Sequence, residues 1–299
     1  MEPEFNKCAL CPRRCLVNRN KGELGFCKAS SKIVVARAAL HYWEEPCISG
    51  NNGSGTIFFS YCNLKCVFCQ NYDISTLHKG KEITVSRLAA IYLELQEKGA
   101  NNINLVTPTH YIPVIRSSLI LAKKQGLTIP IVYNSSGYER VEALKLLEGL
   151  IDVYLPDFKY CTDSIAIKYS NCPNYFEVTK EALKEMYRQV GSPLFDDKGI
   201  MVKGMIVRHL MLPNMEEDSK KIIKYLYDTY KDNIYLSIMN QYTPLRKLPY
   251  EELNRKVDNL IYDEVIEYAY DLGVRKAFVQ DDETQSESFI PDFNNNIGV

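Results

Sequence analysis

Tyr61-Cys-Asn-Leu-Lys-Cys-Val-Phe-Cys-Gln70 sets Cys62, Cys66 and Cys69 in a C-x3-C-x2-C run. Three thiolates this close suit three corners of a cubane iron–sulfur cluster, whose usual protein ligands are four cysteines. No fourth cysteine follows nearby, so one iron is left for a small molecule, as an open position is in catalytic metal sites. The preceding segment, Gly55-Thr-Ile-Phe-Phe-Ser60, reads as a β-strand, which places the triad in a loop at a strand's C-terminal end.

Downstream, short β-branched or apolar runs alternate with amphipathic stretches. The pattern predicts strands at 55–60, 102–106, 129–133, 151–155, 202–208 and 233–238. Between them, Val85, Leu88, Tyr92 and Leu95 share one helical face, as do Val141, Leu144 and Leu147, then Ala182, Met186 and Val190. Thr84 suits a helix N-cap, and Gly99 and Gly126 suit helix C-terminal glycines. Six β-then-α units argue for a parallel sheet wrapped by helices, either a partial barrel or a doubly wound sheet. Active sites of such folds gather at the C-terminal ends of the strands. Those ends carry the cysteine loop, then Thr107 and His110, then Asn134, Ser135 and Ser136. Asp157 and Lys159, Arg208 and His209, and Gln241 and Tyr242 complete a polar set that fits one shared ligand.

A chain of 299 residues with 46% apolar content buries a full core. Residues 1–46 read as an extension and residues 47–299 as the main unit, with a polar, loosely ordered tail at Gln280–Ser288. The sequence has no long uninterrupted apolar run and no hydrophobic leader at its start, which predicts a soluble, cytoplasmic protein. In that reducing compartment ten cysteines argue for metal thiolates rather than disulfides. A net charge of −1 without a basic run leaves no electrostatic footprint for nucleic acid or an anionic membrane.

Within the extension, Cys8, Cys11 and Cys15, followed by Cys27, form a second constellation. Four thiolates suit either a closed zinc site or an auxiliary iron–sulfur cluster. Zinc is the first choice, because metal binding supplies folding energy to a segment too small for its own core. Cys47, Cys161 and Cys172 lack partners at ligand spacing and read as small buried hydrophobes.

The triad, with Phe68 before its last cysteine, resembles the signature of the radical S-adenosylmethionine (radical SAM) superfamily. The flanking runs His41-Tyr-Trp-Glu-Glu-Pro-Cys-Ile-Ser-Gly50, Asn102-Ile-Asn-Leu-Val-Thr-Pro-Thr-His110 and Val207-Arg-His-Leu210 resemble its pyruvate formate-lyase activating enzyme-like branch. The resemblance covers most of residues 8–245. It implies a partial (β/α)6 barrel with the four-cysteine metal-binding extension, and a [4Fe–4S] cluster on Cys62, Cys66 and Cys69. It also implies reductive cleavage of SAM to a 5′-deoxyadenosyl radical that abstracts hydrogen. Glycyl-radical activation of a partner protein is the leading task. Modification of another peptide or of a small molecule is the alternative, and a non-enzymatic iron–sulfur electron carrier is a third reading. A low-potential donor of flavodoxin or ferredoxin type is implied as a partner. By the same analogy Phe68 lies near the adenine, and Asn134, Ser135 and Ser136 meet ribose or carboxylate. Asp157 and Lys159 match an Asp-x-Lys pattern at a strand end, Arg208 matches an arginine suited to a carboxylate, and His110 is a further candidate contact. Relatives carry a Gly-Gly-Glu-type segment where this chain reads Val106-Thr-Pro-Thr-His110, so Thr107 is the substitute partner for the methionine amino group.

Overall fold

The computed structural model describes residues 2–280, 291, 293 and 295–299. In chain order it contains β1 (Ile33–His41), α1 (Pro46–Ser49), β2 (Ser54–Phe59), α2 (Tyr72–Ser75), β3 (Lys81–Ile83), α3 (Val85–Glu97) and β4 (Ile103–Val106). Next come α4 (Ile112–Lys124), β5 (Ile131–Ser135), α5 (Val141–Leu144), β6 (Val153–Pro156), α6 (Asp163–Ser170) and α7 (Tyr175–Val190). The remainder is β7 (Leu194–Phe195), β8 (Met201–Leu210), α8 (Glu216–Tyr230), β9 (Tyr235–Met239), α9 (Asn259–Leu272) and β10 (Ala277–Val279).

The six expected strands are β2, β4, β5, β6, β8 and β9, neighbours in one mostly parallel sheet. Every residue of β2, β4, β5 and β6 is buried, as expected of parallel strands covered on both faces. The first long helix, α3, starts where Thr84 Oγ1 accepts the Arg87 N–H at 3.1 Å and buries Leu88, Tyr92 and Leu95. Ala182, Met186 and Val190 are buried along α7. Gly99 and Gly126 follow their helices with φ of +84° and +105°, the left-handed region that favours glycine at a helix end.

The sheet extends past the expected six at both edges. A seventh parallel strand, β10, pairs with β9. At the other edge β1 runs antiparallel between β2 and β3. The run Ile33-Val-Val that opens β1 carries the β-branched signal for it. Residues 33–41 thus lie in the barrel sheet, and the division at 46/47 cuts across it: the cysteine-rich part ends before Ile33. Among the described residues β10 and β3 do not pair, so the sheet is an open arc. The expected polar tail lies, beyond Gln280, outside the described residues. Among the described residues no helix is long and apolar enough to cross a membrane.

Candidate active site

The chain leaves β2 through Ser60 and Tyr61 and enters the cysteine loop beside a cavity of about 340 Å³ at the C-terminal ends of the strands. Cys62, Cys66 and Cys69 line it together with Phe68, Thr107, Asn134, Ser135, Ser136, Asp157, Lys159 and Arg208. Hydrogen-bond donors already face the sulfurs. The Leu64 N–H points at Cys62 Sγ at 3.4 Å, and the Ser170 hydroxyl at Cys66 Sγ at 2.9 Å. Ser75 Oγ lies 3.3 Å from Cys69 Sγ. Burial pushes the Cys62 thiol far above its ordinary range. It pushes Cys66 up to about 11, although the Lys159 charge works against it. A metal binds the thiolate form, so its binding here would release protons.

Thr107 ends β4 at φ +60°, an unusual conformation for a β-branched residue. Its N–H is tied to Asn134 O at 2.9 Å, which bends the chain over the cavity. Gly137 permits a second close approach: a Cβ there would lie 2.2 Å from Asp157 O. Ser136 Oγ, on the same cavity, is buried and has no hydrogen-bond partner among the described residues. Lys159 Nζ and Asp157 Oδ2 form an ion pair of 2.5 Å. Burial works against the Lys159 charge, yet Asp157 and Cys66 together hold its ammonium above the usual lysine range.

Arg208 also lines the cavity, but its fork is engaged by the protein's own carboxylates. Nε and Nη2 donate to Glu45 at 2.8 and 2.6 Å, and Nη2 also donates to Glu44. Burial alone would push the Glu45 carboxyl up; the Arg208 charge and hydrogen bonds overcome this and hold it below its ordinary value. Both glutamates line the cavity. With Asp157, Lys159 and Arg208 they leave its charged wall one carboxylate in excess, which suits a ligand of net positive charge. The sequence reading missed them, although Glu44 and Glu45 follow directly on a strand-like run.

Three expected contacts fall elsewhere. His110 is buried beside the four amino-terminal cysteines rather than on the main cavity. Its Nε2 faces Ser60 O at 2.8 Å, and burial, reinforced by Arg19, pushes its ring down to about 3. His209 is scaffold: Nδ1 faces Phe158 O and Nε2 faces Ser219 Oγ, both at 2.8 Å. Tyr242 donates to Leu253 O at 2.6 Å and packs edge-on against Phe68 with ring centres 6.0 Å apart, whereas Gln241 does reach the cavity. The unassigned Cys47 and Cys172 are buried and Cys161 is half-buried.

Comparison with known proteins identifies the family and the fold. The model of the Radical SAM superfamily matches residues 56–226, more than half of the chain, and the chain belongs to that superfamily. It is 34% identical over 273 residues to the uncharacterized protein MJ0674 of Methanocaldococcus jannaschii, covering 87% of this chain and 72% of that one. Streptococcus suis SuiB, in a crystal structure bound to S-adenosylmethionine, superposes with a TM-score of 0.52 at 13% identity, over 75% of this chain and 49% of SuiB. A second SuiB structure, bound to precursor peptide SuiA, gives the same TM-score at 13% identity over 75% and 47% of the two chains. A radical SAM methyltransferase from Sphaerobacter thermophilus gives 0.52 at 13% identity, over 76% of this chain and 66% of that one. Likenesses this distant speak for the fold alone. Membership of the superfamily supports a [4Fe–4S] cluster and SAM as cofactors, SAM-cleaving radical chemistry and the need for an electron donor.

Proposed function

We propose that this protein is a radical SAM enzyme that takes hydrogen from a polypeptide, with glycyl-radical activation as the first task to test. Cys62, Cys66 and Cys69 hold the [4Fe–4S] cluster. The reading is supported by the lining of their cavity, which joins the three thiols to Glu44, Glu45, Asp157 and Ser136, whose Oγ has no hydrogen-bond partner among the described residues. When bound, the cluster and SAM supply a 5′-deoxyadenosyl radical by one-electron reduction of SAM. The chain's own residues then divide the labour. Thr107, Asn134, Ser135 and Ser136 offer hydrogen bonds to the polar ends of the cofactor, and Phe68 offers an aromatic face to its base. Lys159, held charged by Asp157, balances the thiolate charge, while the donors on Cys62 and Cys66 set the potential. The protein's part is to bind, orient and exclude water.

The observation that carries the polypeptide reading is the open arc. His41 from β1 and Phe278 and Val279 from β10 border the same cavity, and these two strands do not pair with each other among the described residues. Trp43, 61% exposed, borders the cavity as well, and an aromatic group of this size suits an extended chain better than a small polar metabolite. The peptide-bound fold relative, SuiB with SuiA, is consistent with it. The electron donor is proposed to be a flavodoxin or ferredoxin. The test is incubation with SAM, reductant and a glycyl-radical protein of the same cell, read by electron paramagnetic resonance. A backbone radical on that partner supports the reading. No radical with any such partner, alongside brisk 5′-deoxyadenosine formation on a metabolite, moves the substrate to the small-molecule class.

A further inference from the structure

Arg19 is buried to 1% exposure beside Cys8, Cys11, Cys15 and Cys27, which line one small cavity with it and His110. Its guanidinium is fully engaged but unneutralised. Nη1 donates to His110 O at 2.6 Å, Nε donates to Ser30 O at 3.1 Å, and Nη2 shares that second carbonyl. Nη1 also lies 3.8 Å from Cys8 Sγ, and the Phe5 ring centre lies 4.1 Å from the guanidinium carbon. Among the described residues no carboxylate forms an ion pair with it, although Arg116 and Arg140 nearby in the fold both have one. Burying a cation without a counter-charge is unfavourable, and beside its two carbonyl partners and the Phe5 ring the group within reach of this one is the Cys8 thiol.

We propose that Cys8, Cys11, Cys15 and Cys27 hold a four-thiolate metal centre whose buried counter-cation is Arg19, and that this centre positions the catalytic cysteine loop. Four thiolates around zinc, or around an oxidised [4Fe–4S] core, leave the same surplus of two negative charges. Arg19 neutralises half of that surplus in either case. The link to the loop runs along two paths. Arg19 grips the His110 carbonyl, and the His110 ring grips Ser60 O, two residues before Cys62. Arg13, between Cys11 and Cys15, donates to Asn63 O at 3.1 Å and to Asn171 O, and Asn63 stands directly after Cys62. Arg13 is held in turn between Phe26 and Tyr138, with ring centres 3.7 and 5.3 Å away. A metal that fixes Cys11 and Cys15 therefore fixes the residue that straps the catalytic loop.

The first half of the proposal is independent of the radical SAM reading; the second half rests on it. The first is tested in the full chain carrying Cys62→Ala, Cys66→Ala and Cys69→Ala, purified without oxygen. Metal analysis should find one zinc, or about four irons with matching sulfide, and the two outcomes separate the sources. No bound metal after reconstitution with either would overturn it. In the same background Arg19→Lys keeps the charge, and Arg19→Gln keeps a donor without it. Chelator competition should show Lys within about threefold of the parent and Gln weaker by about tenfold or more, the range of an outer partner of a metal ligand. Equal effects of Lys and Gln, or none, would remove the counter-cation role. The second half is tested by Arg13→Ala with all seven proposed ligand cysteines present. It should retain the amino-terminal metal, while the catalytic cluster decays at least threefold faster on exposure to air. An unchanged decay rate refutes the positioning role without touching the metal assignment.

Discussion

Replacing Arg208 with alanine should destabilise the protein, whatever it does to SAM. The side chains of Arg208, Glu44 and Glu45 are only 13%, 8% and 5% exposed, so the substitution strands two carboxylates in a place that water barely reaches. Breaking a buried pair costs about 3–5 kcal/mol. Glu44 keeps the Asn104 amide at 2.8 Å, which puts the expectation nearer the lower end. Equilibrium urea unfolding of the cluster-free protein at pH 7 measures it. The control is Arg208→Met combined with Glu44→Gln and Glu45→Gln, which removes all three charges and should recover most of the lost stability. The pH profile gives a second handle. Glu45 has a folded-state value below its ordinary one, so its contribution is present above the ordinary carboxylate range and is lost as pH falls through the folded value. Arg208→Ala should erase that acid-side loss. Were Arg208→Ala to cost under ~1 kcal/mol, as an exposed pair does, while abolishing SAM binding, the triad would be wrong and Arg208 would be a ligand-binding residue.

Three further outcomes follow from neighbouring groups. Ser170→Ala removes the donor on Cys66 and should make the catalytic cluster's midpoint more negative by about 20–60 mV; spectroelectrochemistry showing no shift would detach Ser170 from the cluster. Thr107→Gly relieves a left-handed backbone, so stability should hold within ~1 kcal/mol while SAM affinity falls, as read by calorimetry; retained affinity would remove Thr107 from the cofactor. Burial raises Glu139 to about 7, even with the Thr109 and Tyr133 hydroxyls donating to it. A raised acid favours folding fully below its unfolded value and loses that contribution as pH climbs toward 7. Between pH 5 and 8 the parent should therefore lose about 2.5 kcal/mol that Glu139→Gln does not, and parallel profiles would refute the burial argument.

The sequence showed the repeating architecture because buried parallel strands and amphipathic helices write period and length into the chain, and all six expected strands form. It showed the three thiols because they stand within eight residues of one another. It did not show β1 as part of the barrel, since an antiparallel edge strand lies outside the repeating β/α theme. Partners set by long-range packing were also hidden. Nothing local says that Arg208 meets Glu44 and Glu45 across the sheet, about 160 positions earlier, or that His110 turns toward the amino-terminal cysteines instead of the cavity. A strand-end residue has two sides to face, and which side it faces depends on packing that no local spacing records.

The most direct test of the central claim is the product of SAM in the dithionite-reduced, anaerobically reconstituted protein, measured by quantitative chromatography against the Cys62→Ala/Cys66→Ala/Cys69→Ala variant. The account predicts 5′-deoxyadenosine and methionine in equal amounts from the parent and neither from the variant. S-adenosylhomocysteine as the main product, or the same 5′-deoxyadenosine yield without the three cysteines, would contradict it.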